Sequence, residues 1–244
     1  MLAAASPIQA APEDVIAQVR PAIVAIGTFQ ADRRPGFAFR GTGFAVGDGS
    51  LVATNRHVLP PRPDGTQAPP LAIAIPVSPS KVNVRMADVV REDEMHDLAL
   101  LRVSGPPLPT LTLDVRASVR EGEALLFTGF PIGGVLGLIP ATHRAMVAAV
   151  TPIALPSASA EGLGGAAIRR LAAGPFAIYQ LDATAYPGNS GSPLYDPATG
   201  AVVAIVNMVF VKGMREAAAA QPSGIAFAIP AVHLRTMLDG VAAR

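Results

Sequence analysis

The sequence predicts an all-β protein made of two six-stranded antiparallel β-barrels, with short helices at its ends. Three observations carry that expectation. The 23 glycines and 24 prolines are spread along the 244 residues, which favours many short strands over long helices. The apolar runs between them have the length of strands. The segment Gly105-Pro106-Pro107-Leu108-Pro109 then splits those runs into two similar sets, as a pair of barrels requires.

Taken in order, residues 1–12 form a tail. Glu13 to Val19 has helical spacing (Val15, Ile16, Val19), with acidic residues at its start, where they complement the helix dipole. Pro21 ends that helix. Strands are expected at 23–26, 38–46 and 51–54, the last two joined by the hairpin turn Gly47-Asp48-Gly49-Ser50. Five prolines in 60–70 make an irregular surface loop. Further strands are expected at 71–75, 82–86, 87–90 and 98–103.

In the second half, strands are expected at 124–129, 144–150, 176–181, 201–211 and 225–229, with a glycine-rich loop at 132–138. The small-residue stretch 152–175 and the stretch 212–223 read as loops. Pro230 at a first helical position opens a closing helix. The division is therefore a first barrel over 13–104, a second over 110–229 and a closing helix over 230–240.

Composition narrows the function. Half of the residues are apolar and 15% are charged, so the chain packs a core. Net charge is +1, with basic residues clustered no further than Arg33-Arg34 and Arg169-Arg170, which argues against nucleic acid as a partner. With no cysteine, neither a disulfide nor a thiolate nucleophile exists. No apolar stretch is long enough to span a bilayer, so no stable membrane insertion is expected. The small, apolar start Met1 to Pro7 reads as the stub of an export signal, pointing to a periplasmic or other extracytoplasmic location. A disordered tail is the alternative, and a cytoplasmic location stays open. Oligomerisation is left open.

The chemistry centres on Pro187-Gly188-Asn189-Ser190-Gly191-Ser192-Pro193. Flanking glycines give the backbone unusual dihedrals and leave room beside Ser190, so backbone N–H groups can receive a developing oxyanion. Taken alone, the heptad is equally an ordinary turn between strands. A base and a carboxylate decide between the two. Of the four histidines, His233 lies in the closing helix, His143 has no evident partner, and His96 cannot pair sideways with its strand neighbour Asp97. His57 ends the run Thr54-Asn55-Arg56-His57-Val58. Asp97 opens the apolar run Leu98 to Val103, where a carboxylate near the core needs a donor such as an imidazole N–H, whereas Asp88 and Asp93 read as solvated turn aspartates. The order His57, Asp97, Ser190 is that of a serine-protease triad.

These segments resemble trypsin-fold serine proteases of the HtrA (Deg) type. The likeness rests on Thr54 to Val58, His96 to Val103 and Gly188 to Leu194. It is supported by Gly41-Thr42-Gly43-Phe44, Leu181-Asp182-Ala183 and Gly224 to Pro230, and covers residues 13 to 240. It implies a trypsin-like double barrel that hydrolyses peptide bonds of polypeptide substrates, on unfolded or damaged proteins, through an acyl-enzyme and without metal or cofactor. Ser190 becomes the nucleophile, His57 the general base and then acid, and Asp97 the group that orients His57. The oxyanion hole becomes the N–H groups of Gly188 and Ser190, with Asn189 between them.

The resemblance also puts Thr184 at the base of the primary substrate pocket, facing Ile205, Asn207 and Met208. No carboxylate stands there to pair a cationic side chain, so cleavage after small or medium aliphatic residues is expected. Asn189 carries no charge for a liberated terminus to neutralise, so activation is expected from ordering of loops at 132–138, 186–188 and 209–223. Members usually have glycine where Ser192 stands, and the family's C-terminal PDZ domain is not in this sequence. A silent peptide-binding or chaperone module and an esterase-like hydrolase are the alternatives.

Overall fold

The computed structural model describes residues 11–61, 69–78, 81–115, 119–133, 137–152, 176–207 and 224–242. An opening helix, α1 (Pro12–Val19), has proline in its first turn, where a missing N–H costs nothing, followed by Glu13 and Asp14. It buries Val15 and Val19. One 3-10 turn later the first barrel begins.

Its strands are β1 (Ile23–Phe29), β2 (Phe37–Val46), β3 (Leu51–Asn55), β4 (Leu71–Ser78), β5 (Lys81–Asp93) and β6 (Leu98–Val103). They close in the order β1-β2-β3-β6-β5-β4, antiparallel throughout. The second barrel holds β7 (Ala124–Gly129), β8 (Ala141–Pro152), β9 (Ala177–Asp182), β10 (Pro193–Tyr195), β11 (Val202–Asn207) and β12 (Ile225–Pro230). It closes as β10-β11-β12-β9-β8-β7. A closing helix, α2 (Ala231–Ala242), follows. This is the trypsin-like double barrel expected from the sequence.

Three expectations need correction. The two strands foreseen at 82–86 and 87–90 are one strand, β5, which pairs with β4 along its first part and β6 along its second. The second barrel takes its sixth strand from the three residues of β10, directly after the Ser190 turn. Pro230 ends β12, paired to Ala204, instead of opening the helix. Of the loop foreseen at 152–175, Pro152 ends β8 and 153–175 lie outside the described residues, as do 208–211 of the strand foreseen at 201–211.

The apolar side chains form three cores. Val24, Ile26, Val52, Ile73 and Leu101 fill the first barrel. Leu125, Phe127, Val147, Leu181 and Val206 fill the second. Between them a larger cluster joins Phe44 and Leu100 to Phe130, Tyr195, Ile205 and Ile229, and includes Val15 of α1 and Leu234 of α2. Burial of this seam drives the two barrels together. Among the described residues, no helix is long and apolar enough to cross a membrane.

Candidate active site

The site lies on that seam. β3 ends at Asn55, and a single 3-10 turn, Arg56–Val58, lifts His57 out of the sheet. The strand across from it, β6, is preceded by Asp97 in the left-handed region, φ 53°. Aspartate tolerates that region better than most residues. The conformation brings both ends of Asp97 to bear. Its carbonyl accepts the Arg56 N–H at 3.0 Å and the Asn55 side-chain amide at 3.2 Å. Its carboxylate accepts the His57 backbone N–H at 2.9 Å, and its other oxygen lies 2.6 Å from His57 Nδ1.

A carboxylate offers no proton, so Nδ1 of His57 carries the hydrogen in this pair. Asp97 is 8% exposed. A buried carboxylate needs more than one donor, and a further one comes from the second barrel: Asn207 Nδ2 donates to Asp97 Oδ2 at 2.7 Å.

β11 also holds the Ser190 turn. The Gly191 N–H donates to the Val206 carbonyl, and the Val206 N–H donates back to the Ser192 carbonyl, each at 2.9 Å. One strand thus pins the turn through Val206 and reaches Asp97 through the next residue. Gly191 has φ 88°, and a methyl group there would run into the Thr42 carbonyl, so only glycine fits. From the other barrel Thr42 clamps the same turn. Its N–H donates to the Ser190 carbonyl at 2.9 Å, and its hydroxyl donates to the Gly188 carbonyl at 2.7 Å. That hydroxyl accepts the Phe130 N–H at 3.1 Å. At Gly41 an added methyl would meet Val58 at 2.7 Å and the Ser190 carbonyl at 3.1 Å. The His57 turn and the Ser190 turn are therefore separated by little more than one backbone.

The N–H groups of the turn differ in what they bond. The Asn189 N–H is used, donating to the Tyr186 carbonyl at 3.0 Å. The N–H groups of Gly188 and Ser190 make no hydrogen bond among the described residues. The Pro187 carbonyl is held by the Ile132 N–H at 2.8 Å, which fixes the peptide plane carrying the Gly188 N–H. Ser190 itself is 6% exposed.

The pocket residues fall differently. Thr184 is exposed in the segment between β9 and the turn. Ile205 is fully buried in the seam, and Asn207 is engaged by Asp97, so neither side chain lines an open pocket. Met208 lies outside the described residues. Reading along the strand could not reveal that Asn207 meets a carboxylate 110 residues away. In the sequence Thr42 stands only within the supporting motif Gly41-Thr42-Gly43-Phe44. A cleft of about 800 Å³ beside His57 is lined by Arg40, Arg56, Leu59, Pro70, Val89 and Glu92, among others.

The remaining histidines are elsewhere. His143 lies on β8, stacked on Phe127 with ring centroids 4.9 Å apart, and burial lowers its pKa. His96 pairs with Asp93 (Nδ1 to Oδ2, 2.7 Å) and stacks on His233 of α2 at 3.7 Å. Asp93 is thus the partner of His96, not a solvated turn residue. Among the described residues no group of three or more potential metal ligands converges.

Comparison with known proteins agrees with this architecture. The model of the trypsin-like peptidase domain matches residues 41–205. The chain is 29% identical over 236 residues to the mitochondrial serine protease HTRA2 of Bos taurus, covering 92% of this chain and 42% of the relative. It is 27% identical over 205 residues to a probable periplasmic DegP-like serine endoprotease of Pseudomonas savastanoi, covering 84% and 35%. The chain therefore spans less than half the length of these curated relatives. Among solved structures, the inactive form of the Rv3671c protease superposes with a TM-score of 0.65 at 20% identity, covering 98% of both chains. A serine endoprotease from Yersinia pestis gives 0.63 at 20% identity, covering 96% of this chain and 67% of the other. These structural likenesses speak for the fold. With two closed six-stranded barrels and a family match over most of its length, the chain belongs to the trypsin-like peptidase family.

Proposed function

We propose that the chain is a serine endopeptidase whose catalytic unit spans residues 13–240, acting outside the cytoplasm on unfolded or damaged polypeptides. One observation carries the reading: a His57–Asp97 pair, braced by Asn207, shares a seam with a serine turn whose Gly188 and Ser190 N–H groups are uncommitted among the described residues. In the reaction Ser190 Oγ attacks the scissile carbonyl while His57 Nε2 takes its proton. The carbonyl oxygen becomes an oxyanion, received by the N–H groups of Gly188 and Ser190. Asp97 stabilises the imidazolium, which then protonates the departing amine. Water, deprotonated by the same imidazole, attacks the acyl-enzyme and releases the acid and Ser190. The likeness to periplasmic and mitochondrial relatives supports the location. The absence of a carboxylate at Thr184, which the resemblance places at the base of the primary pocket, supports cleavage after small or medium aliphatic residues.

The test is casein digestion by wild type, Ser190→Ala and His57→Ala, with cleavage sites mapped by mass spectrometry. Each variant should fold yet lose about 10⁴-fold or more in turnover, because the residues act as a unit. Substantial hydrolysis by His57→Ala would refute the assignment. A mapped preference for arginine or lysine would refute the specificity.

A further inference from the structure

Beneath the nucleophile turn lies a group of polar atoms that the reaction above does not use. Asn189 and Ser192 are fully buried, yet among the described residues the Asn189 carboxamide (Oδ1 and Nδ2) and Ser192 Oγ make no hydrogen bond. They converge on one side of the Gly129 backbone at the end of β7. A methyl group built on Gly129 would collide with Ser192 Oγ and meet Thr42 Oγ1 at 2.8 Å and Asn189 Oδ1 at 3.1 Å. Thr42 Oγ1 donates to Gly188 and accepts from Phe130, and as a hydroxyl it has one lone pair left.

Buried donors and acceptors are almost always satisfied, and leaving several unmade at one point is costly. Buried polar groups gathered in one place without bonding one another are the setting in which an internal water is held. We propose that Ser192 is a positioning residue for the oxyanion turn, acting through one internal water that it shares with the Asn189 carboxamide and Thr42. Asn189 sits between the two oxyanion donors, so a bond that fixes its side chain fixes the direction of the Gly188 and Ser190 N–H groups. Serine at this position replaces the glycine usual in the resembling family, and its hydroxyl supplies a protein donor where glycine has none.

The kinetic part of the test rests on the peptidase reading. Ser192→Ala keeps the volume but removes the donor and leaves a methyl facing the water. It should lower kcat about tenfold with KM within about twofold, since the loss reaches the oxyanion donors only indirectly. Ser192→Gly makes room for a second water in place of the hydroxyl and should keep kcat within about threefold of wild type. A role in packing alone orders the two variants the other way, because glycine leaves a void and a looser backbone. Asn189→Ala should also lower kcat, and Ser192→Ala should cost little more on top of it. Wild-type kcat in Ser192→Ala, or a Ser192→Gly variant worse than Ser192→Ala, overturns the proposal.

A high-resolution crystal structure of the wild-type chain tests the same idea without variants. Ordered density within hydrogen-bond distance of Ser192 Oγ and the Asn189 carboxamide is expected, and a well-ordered turn with no such density overturns it. If wild type shows no Ser190-dependent turnover, the proposed function fails, while the crystallographic result still decides this one.

Discussion

Asp97 makes more of the site than any other residue, because its backbone and its carboxylate both serve His57's surroundings. Its two oxygens take donors from both barrels, and Asn207 supplies the distant one. Removing Asn207 would leave a buried carboxylate short of a donor, and a hydrogen bond to a charged group is worth about 1.5–3 kcal/mol. Asn207→Ala should therefore cut kcat by about tenfold to a hundredfold with KM little changed. Asn207→Asp should fall further, since two carboxylates would then face each other. Peptide hydrolysis by the two variants checks the order; an active Asn207→Asp would sink it. Asp97 was legible in the sequence because it opens an apolar run, where a polar residue needs a reason, and His57 because the other three histidines lacked a suitable setting. The bond from Asn207 was not, since it joins residues whose proximity exists only once two barrels close.

At the scale of elements, strands with a clear apolar run were legible, and their ends and continuity were not. β5 looked like two pieces because its apolar alternation (Val82, Val84, Met86, then Ala87, Val89) changes phase between Met86 and Ala87, where the strand passes from β4 to β6 as partner. β10, at three residues, is too short to show a period. The closing helix was legible, but the role of His233 upon it was not. Its ring stacks on His96 and meets the edge of Phe176 at 5.4 Å, and burial, helped by His96, lowers its pKa from 6.5 to about 4. Between those two values the unfolded chain binds the proton and the folded chain does not. Stability therefore rises with pH from about 4 to about 6.5, and acidification through that window removes it. Asp93 works in a lower window. Burial pushes its pKa up, but hydrogen bonds from the His96 side chain and backbone outweigh that and hold it below 3.8. Its contribution is complete above 3.8 and is lost below that value. Thermal unfolding of wild type and His233→Phe across pH 4–7 should show a flatter profile for the variant. Equal slopes would exclude His233 as the source.

For the whole molecule, the seam cluster draws on both barrels and both helices, so neither barrel can open without stripping apolar surface from the other. Scanning calorimetry should show one transition with calorimetric and van't Hoff enthalpies in agreement. Two resolved transitions would mean that the barrels unfold independently. The two-barrel plan was legible because a proline-rich crossing separates two sets of strand-length runs. The closure of each barrel, β1 on β4 and β7 on β10, was not, since it joins strands distant in sequence.

The division of the site between barrels also sets an order in time. A ribosome delivers the half with His57 and Asp97 first, and that half, without Ser190, Thr42's partner turn or Asn207, has no nucleophile to expose. By the time Ser190 emerges, the whole first barrel is already synthesised and able to fold. Under the proposed assignment the first barrel is built unarmed, and the serine and the asparagine that braces its partners reach it only with the second.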